Sequence, residues 1–134
     1  MSTFVNAVPF DGQGNFAAGL VRARQSVGVR RPLLVFPEGT RSVNGQLQPF
    51  KAGVGLLAYE LDTPVVPLHI AGTREALPEG TRTPSRHPLR LLFGSPLETT
   101  SFKKSAEALS PYEIYYEIAA ALKRQIEALG RKNI

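Results

Sequence analysis

The run Leu33-Leu34-Val35-Phe36 is apolar at every position and is stopped by Pro37. A strand with one wet face alternates apolar and polar residues, so an unbroken run fits a strand covered on both faces, as in a parallel sheet. Parallel strands need crossover helices, and the flanking sequence supplies them. Upstream, Phe16, Leu20, Ala23 and Val27 recur at three- and four-residue spacing and predict a helix from Asn15 to Gly28 with Arg22 and Arg24 toward solvent. Downstream, Val54, Leu57, Ala58 and Leu61 form the stripe of a second helix over 52–61, with Gly53 and Gly55 permitting close packing at its start.

Residues 65–71 read as a strand in which Pro67 removes one ladder donor and so favours an edge or a strand end. Residues 89–93 are a further strand, and 72–88, rich in Gly, Pro, Thr and Arg, form a long surface loop. The arginines of that loop, Arg74, Arg82 and Arg86, read as a solvated basic surface. Ser110, Pro111 and Glu113 provide an N-cap, a first-turn proline and a capping box. Ile114, Ile118, Leu122, Ile126 and Leu129 then mark the buried stripe of a last helix over about 111–129. Residues 6–10 resemble a strand end and 11–15 a turn. The order predicts an α/β fold, a mostly parallel sheet with flanking helices.

With 134 residues, 43% of them hydrophobic, the chain supports one domain over 1–134. It has no cysteine, and His69 and His87 lie far apart, so disulfides and thiolate metal sites are excluded and no metal or cofactor is expected. The start lacks the pattern of a secretory signal, and no apolar run approaches the ~18 residues of a membrane span, which leads to the expectation of a soluble, cytoplasmic chain. The net charge of +5 is uneven: residues 1–59 hold six Lys or Arg against two acids, the rest ten against nine. That excess suits an anionic partner such as a phosphate, an acidic lipid surface or a nucleic acid. Nucleic acid is not expected, because no strand interleaves aromatics with Arg or Lys as a stacking platform requires.

The excess charge accompanies the stretch that follows the apolar run, Pro37-Glu38-Gly39-Thr40-Arg41. Open α/β sheets place ligands at the carboxyl ends of their strands. There Gly39 lets the backbone approach a ligand, Thr40 supplies a hydroxyl, and Arg41 offers a bidentate fork to phosphate or carboxylate. Lys51 is a second cation ten residues on. Glu38 fits less simply: it either orients the arginine, accepts a hydrogen bond from a substrate hydroxyl, or pairs locally with Arg41 in an ordinary turn.

Residues 36–42, Phe-Pro-Glu-Gly-Thr-Arg-Ser, resemble the signature block of the glycerolipid acyltransferases, which move a fatty acyl group from acyl-CoA or acyl carrier protein onto glycerol 3-phosphate or a lysophospholipid. Residues 49–53 with 55–58 are similar to the segment after that signature, 64–68 to a later proline-containing block, and 6–11 to a second block, so the resemblance covers about residues 4–97. It implies that Glu38, Gly39, Thr40 and Arg41 hold the glycerol phosphate of the acceptor, with Lys51 as an additional contact. For the loop arginines Arg74, Arg82 and Arg86, a contribution to binding of the acyl donor is the alternative to a solvated surface. Two departures stand out. The second block of the family ends in a phosphate-binding arginine where this chain has Gly12, which implies weaker affinity or a changed acceptor.

The family's first block, a histidine with an aspartate five residues later, has no counterpart; neither His69 nor His87 is followed by Asp at that distance. The histidine of that block acts as general base, so no catalytic residue is assigned in this chain and the chain alone is expected to be inactive. The expectation is a glycerol-3-phosphate acyltransferase-like fold lacking its first strand-helix segment, the carboxyl-terminal part of a domain that works peripherally at the inner face of the membrane. A non-catalytic phospholipid-headgroup or anion-binding domain is the alternative. A sheet missing its first strand would also expose an edge through which the chain could self-associate.

Overall fold

The computed structural model describes residues 16–28, 31–42, 44–104 and 108–131. The strand end and turn expected over 6–15, including Gly12, lie outside them. Five helices and two strands occur in the order α1 (Phe16–Gly28), α2 (Ala52–Leu61), β1 (Leu68–Ala71), α3 (Thr73–Ala76), β2 (Arg90–Phe93), α4 (Thr100–Lys104) and α5 (Pro111–Arg131) among the described residues.

The organising contact is the crossing of α2 and α5. Phe50, Val54 and Ala58 meet Ile114, Ile118, Ala119 and Leu122 in one buried cluster, and Ile118 is fully excluded from solvent. Gly55 makes the close approach possible: a methyl there would overlap the Tyr115 backbone carbonyl of α5. The helix α5 starts at the expected capping box, where Glu113 Oε2 accepts from the Ser110 amide at 2.7 Å and from its hydroxyl at 2.6 Å. These bonds hold the Glu113 carboxyl below its ordinary range. At its other end α2 stops at Asp62, whose left-handed backbone has φ 49° and whose carboxylate pairs with Lys103 of α4 at 2.6 Å. The hydrogen bond and charge of Lys103 lower the Asp62 pKa. Helix α1 buries Ala23 and reaches α2 through an Arg24 to Glu60 ion pair of 3.3 Å; Arg22 and Arg24 are exposed, as its spacing predicts.

The sheet departs from expectation. β1 and β2 pair antiparallel, in the register Leu68 with Phe93, His69 with Leu92, Ile70 with Leu91 and Ala71 with Arg90, and no parallel pair forms among the described residues. The connection between them contains only the one-turn α3, too short to carry the chain back across a sheet face, so the second strand returns alongside the first. Gly72 begins that return at φ 89°. Pro67 shortens β1 as anticipated: the ladder begins after it, while its carbonyl still accepts the Gly94 amide at 2.9 Å.

Residues 33–36 form no ladder with another strand among the described residues, so the central strand expected there is not formed among them. Leu33 and Val35 are half-buried, and Val35 packs on the core, whereas Leu34 and Phe36 are 67% and 68% exposed. Apolarity marked a segment suited to burial on both sides, but only one side is met by the elements around it. The same asymmetry holds in β2. Its His69-facing side lies toward α5, where the imidazole packs on Gly130, while Leu89, Leu91 and Phe93 on the other side are 58%, 55% and 66% exposed.

Candidate functional site

Between the extended segment 31–38 on one side and residues 64–79 on the other lies a groove of about 1570 Å³. Its floor is apolar, with contributions from Val54, Leu57, Ala58, Leu122 and Ile126, and its wall at one end is polar, with Glu38, Thr40, Arg41, Ser42, Asn44 and Gln46. The signature turn therefore opens onto an apolar trough, a combination suited to a ligand with a charged head and a hydrocarbon body.

Two hydrogen bonds shape the turn. The Gly39 amide donates to Phe36 O at 3.1 Å, and the Lys51 amide donates to Pro37 O at 2.9 Å, tying the turn to the start of α2. Gly39 has φ 70°, in the left-handed region, and the Lys51 side chain lies over it, with Cε and Nζ 2.8 Å from where a Cβ would stand. The left-handed backbone is what favours glycine there, since the flexible lysine end could shift aside.

Glu38 does not pair with Arg41. Its Oε2 accepts the Gln48 amide at 2.8 Å, bracing the ends of the excursion 39–47 against each other. The tip of that excursion is an Asn turn, in which Asn44 Oδ1 accepts the Gln46 amide at 3.0 Å. Among the described residues the Thr40 hydroxyl reaches only Arg41 O, at 3.5 Å. Among the described residues, Arg41 and Lys51 form no ion pair.

The five residues singled out in the sequence thus fall in one place but not in one role. Glu38, Thr40 and Arg41 face the groove; Gly39 and Lys51 stack on each other beside it rather than in its wall. Arg74, read from the sequence as part of a solvated basic loop with donor binding as the alternative, lines the groove from α3. Only its place in a basic loop pointed to it, and that signal is weak. His69, half-buried against Gly130, and His87, exposed with its ring against Gly72, are held by packing. Among the described residues, no group of three His, Cys, Asp or Glu is placed to hold a metal ion, and no helix is long and apolar enough to cross a membrane.

This geometry can be set beside known proteins. The acyltransferase family profile matches residues 1–71, just over half of the chain. A 1-acyl-sn-glycerol-3-phosphate acyltransferase of Limnanthes douglasii is 28% identical over 130 residues, covering 90% of this chain and 46% of that protein. The enzyme of the same name from Limnanthes alba is 35% identical over 91 residues, 65% of this chain and 32% of its own length. Among solved structures, the 1-acyl-sn-glycerophosphate (LPA) acyltransferase PlsC from Thermotoga maritima superposes with a TM-score of 0.61 at 27% identity, over 84% of this chain and 44% of that one. The chain spans less than half the length of these relatives. On the family match and the shared fold, the chain belongs to the acyltransferase family.

Proposed function

We propose that this chain is the acceptor-binding part of an acyltransferase domain that transfers a fatty acyl group from acyl-CoA or acyl carrier protein to a lysophospholipid or glycerol 3-phosphate. The observation that carries this reading is the Arg41 guanidinium, without an ion-pair partner among the described residues, at the polar end of an apolar groove. Arg41 grips the phosphate with its bidentate fork, the Thr40 hydroxyl donates to it, and the Lys51 ammonium behind Gly39 adds positive potential. Glu38, with Oε2 engaged by Gln48, has Oε1 to accept a hydrogen bond from a glycerol hydroxyl.

In the reaction, an acceptor hydroxyl attacks the thioester carbonyl, a C–O bond forms, the C–S bond breaks and the thiol leaves. The hydroxyl proton goes to a general base. That base, with the aspartate that orients it, comes from polypeptide outside this chain, and the chain alone is inactive. The fold is then a glycerol-3-phosphate acyltransferase-like one lacking its first strand-helix segment. The uncovered face bearing Leu89, Leu91 and Phe93 is the surface such a segment packs on, and in its absence the surface for self-association. The parent protein works at the inner face of the membrane, where its lipid acceptor resides.

The deciding assay is acyl transfer from acyl-CoA to glycerol 3-phosphate and a panel of lysophospholipids, with this chain beside a version extended upstream to include a histidine and aspartate block. Turnover only in the extended protein is expected. Silence in both, with headgroup binding that disappears in Arg41→Ala, would replace this reading with a non-catalytic phospholipid-headgroup binder.

A further inference from the structure

Arg74 stands thirty-three residues from Arg41 in sequence but lines the same groove. Gly72 turns the chain at φ 89° after β1, and the single turn of α3 carries Arg74 over the tip of the 39–47 excursion. Its Nη1 lies 3.1 Å, and its Cδ 3.5 Å, from the position a Cβ would take on Gly45. Gly45 has φ 77°, so it serves both as the left-handed corner of the tip and as the gap in which the arginine rests.

Among the described residues Arg74 makes no ion pair, although Glu75 and Glu79 line the same groove. Arg41 likewise makes no ion pair among the described residues, so two guanidinium groups line one groove with no carboxylate in contact with either among those residues. Like charges that share a groove are mildly unfavourable while it is empty and become favourable once an anion sits between them.

We propose that Arg74 is a second anion-binding residue of this groove, closing on a phosphate group from the side opposite Arg41. The inference rests on the groove being the acyl-acceptor site and extends it. A phosphate monoester carries close to two negative charges at neutral pH and three acceptor oxygens, enough for two guanidinium forks at once. The same chemistry belongs to the headgroup of the acceptor and to the phosphates of coenzyme A. One loop arginine would then respond to the charge of the substrate while the signature turn stays fixed.

The test is calorimetric titration of the 134-residue chain with glycerol 3-phosphate and, separately, with coenzyme A, for the wild type, Arg74→Ala, Arg74→Lys and Arg41→Ala. Arg74→Ala should weaken binding of at least one of the two about tenfold, with the thermal midpoint unchanged, and Arg74→Lys should recover part of the loss. A loss confined to glycerol 3-phosphate assigns Arg74 to the acceptor, and one confined to coenzyme A assigns it to the donor. Wild-type affinity in Arg74→Ala together with lost binding in Arg41→Ala would overturn the role of Arg74 and leave the acceptor site intact. Binding by neither the wild type nor the variants, or wild-type affinity in both alanine variants, would overturn both.

Discussion

The two sides of this molecule use the same kinds of residue to opposite ends. Where α2 crosses α5, Ile114, Ile118, Ala119 and Leu122 are sealed by a glycine-mediated close approach. Along the groove and the outer face of the sheet, Leu34, Phe36, Leu89, Leu91 and Phe93 are more than half exposed. The closed side therefore carries the stability of the chain, and the open side can be altered at little cost to folding. That separation suits a site that must admit a ligand with a hydrocarbon body.

The comparison can be broken by substitution. Ile118→Ala should cost about 4 kcal/mol, the transfer term plus a cavity that two crossed helices cannot close, read as a lowered urea midpoint. A cost below about 1 kcal/mol would mean that the α2–α5 core is not what holds the fold. Gly39→Ala tests the junction between the two sides. It should lose about 1–2 kcal/mol through its left-handed backbone and, by displacing Lys51, weaken glycerol 3-phosphate binding as well. Full retention of both properties would show that the turn can adopt another conformation.

Ser110→Ala should cost about 1 kcal/mol by removing the cap of α5. The cap also has a pH signature. Because the folded-state pKa of Glu113 is depressed, its contribution is present above the unfolded value of about 4.3 and is lost as pH falls through the lower folded value. Glu113→Gln should therefore flatten the acid limb of the stability profile below pH of about 4.3, and an unchanged limb would refute the assignment. The smallest effect is expected on the open side, where Leu91→Ser should shift the urea midpoint by no more than the equivalent of about 0.5 kcal/mol. A loss as large as that of Ile118→Ala would show that the outer sheet face is covered in solution.

What could be read from the sequence divides along the range of the interactions involved. Helix α5 was legible because its cap and its stripe from Ile114 to Leu129 are set within four residues of each other. The signature turn was legible in its local part, proline, glycine and the Gly39 to Phe36 hydrogen bond, but not in the Lys51 to Pro37 bond that ties it to α2. The segment at 33–36 showed its extended character, but whether it pairs depends on what lies beside it, which no local pattern encodes. The antiparallel sense of β1 and β2 follows from how little helix joins them, and the four-residue α3 and five-residue α4 are too short to show a period. Arg74 could not be distinguished from Arg82 and Arg86, its companions in the basic loop, until the return of the chain placed it over Gly45.

The clasp formed by Glu38 with the Gln48 amide, and by Pro37 with the Lys51 amide, has a consequence for how such a site can diverge. Everything between the two anchor points is a loop whose ends are held independently of its length, so adding residues at the Asn44 to Gln46 tip costs only chain-closure entropy, about 0.6 kcal/mol per doubling. A longer or shorter tip would move the seat of Arg74 at Gly45. Loop length at 44–46 thus acts as a dial on the spacing between two cations, and insertions there could retune which anion the groove accepts without a single substitution in the signature turn.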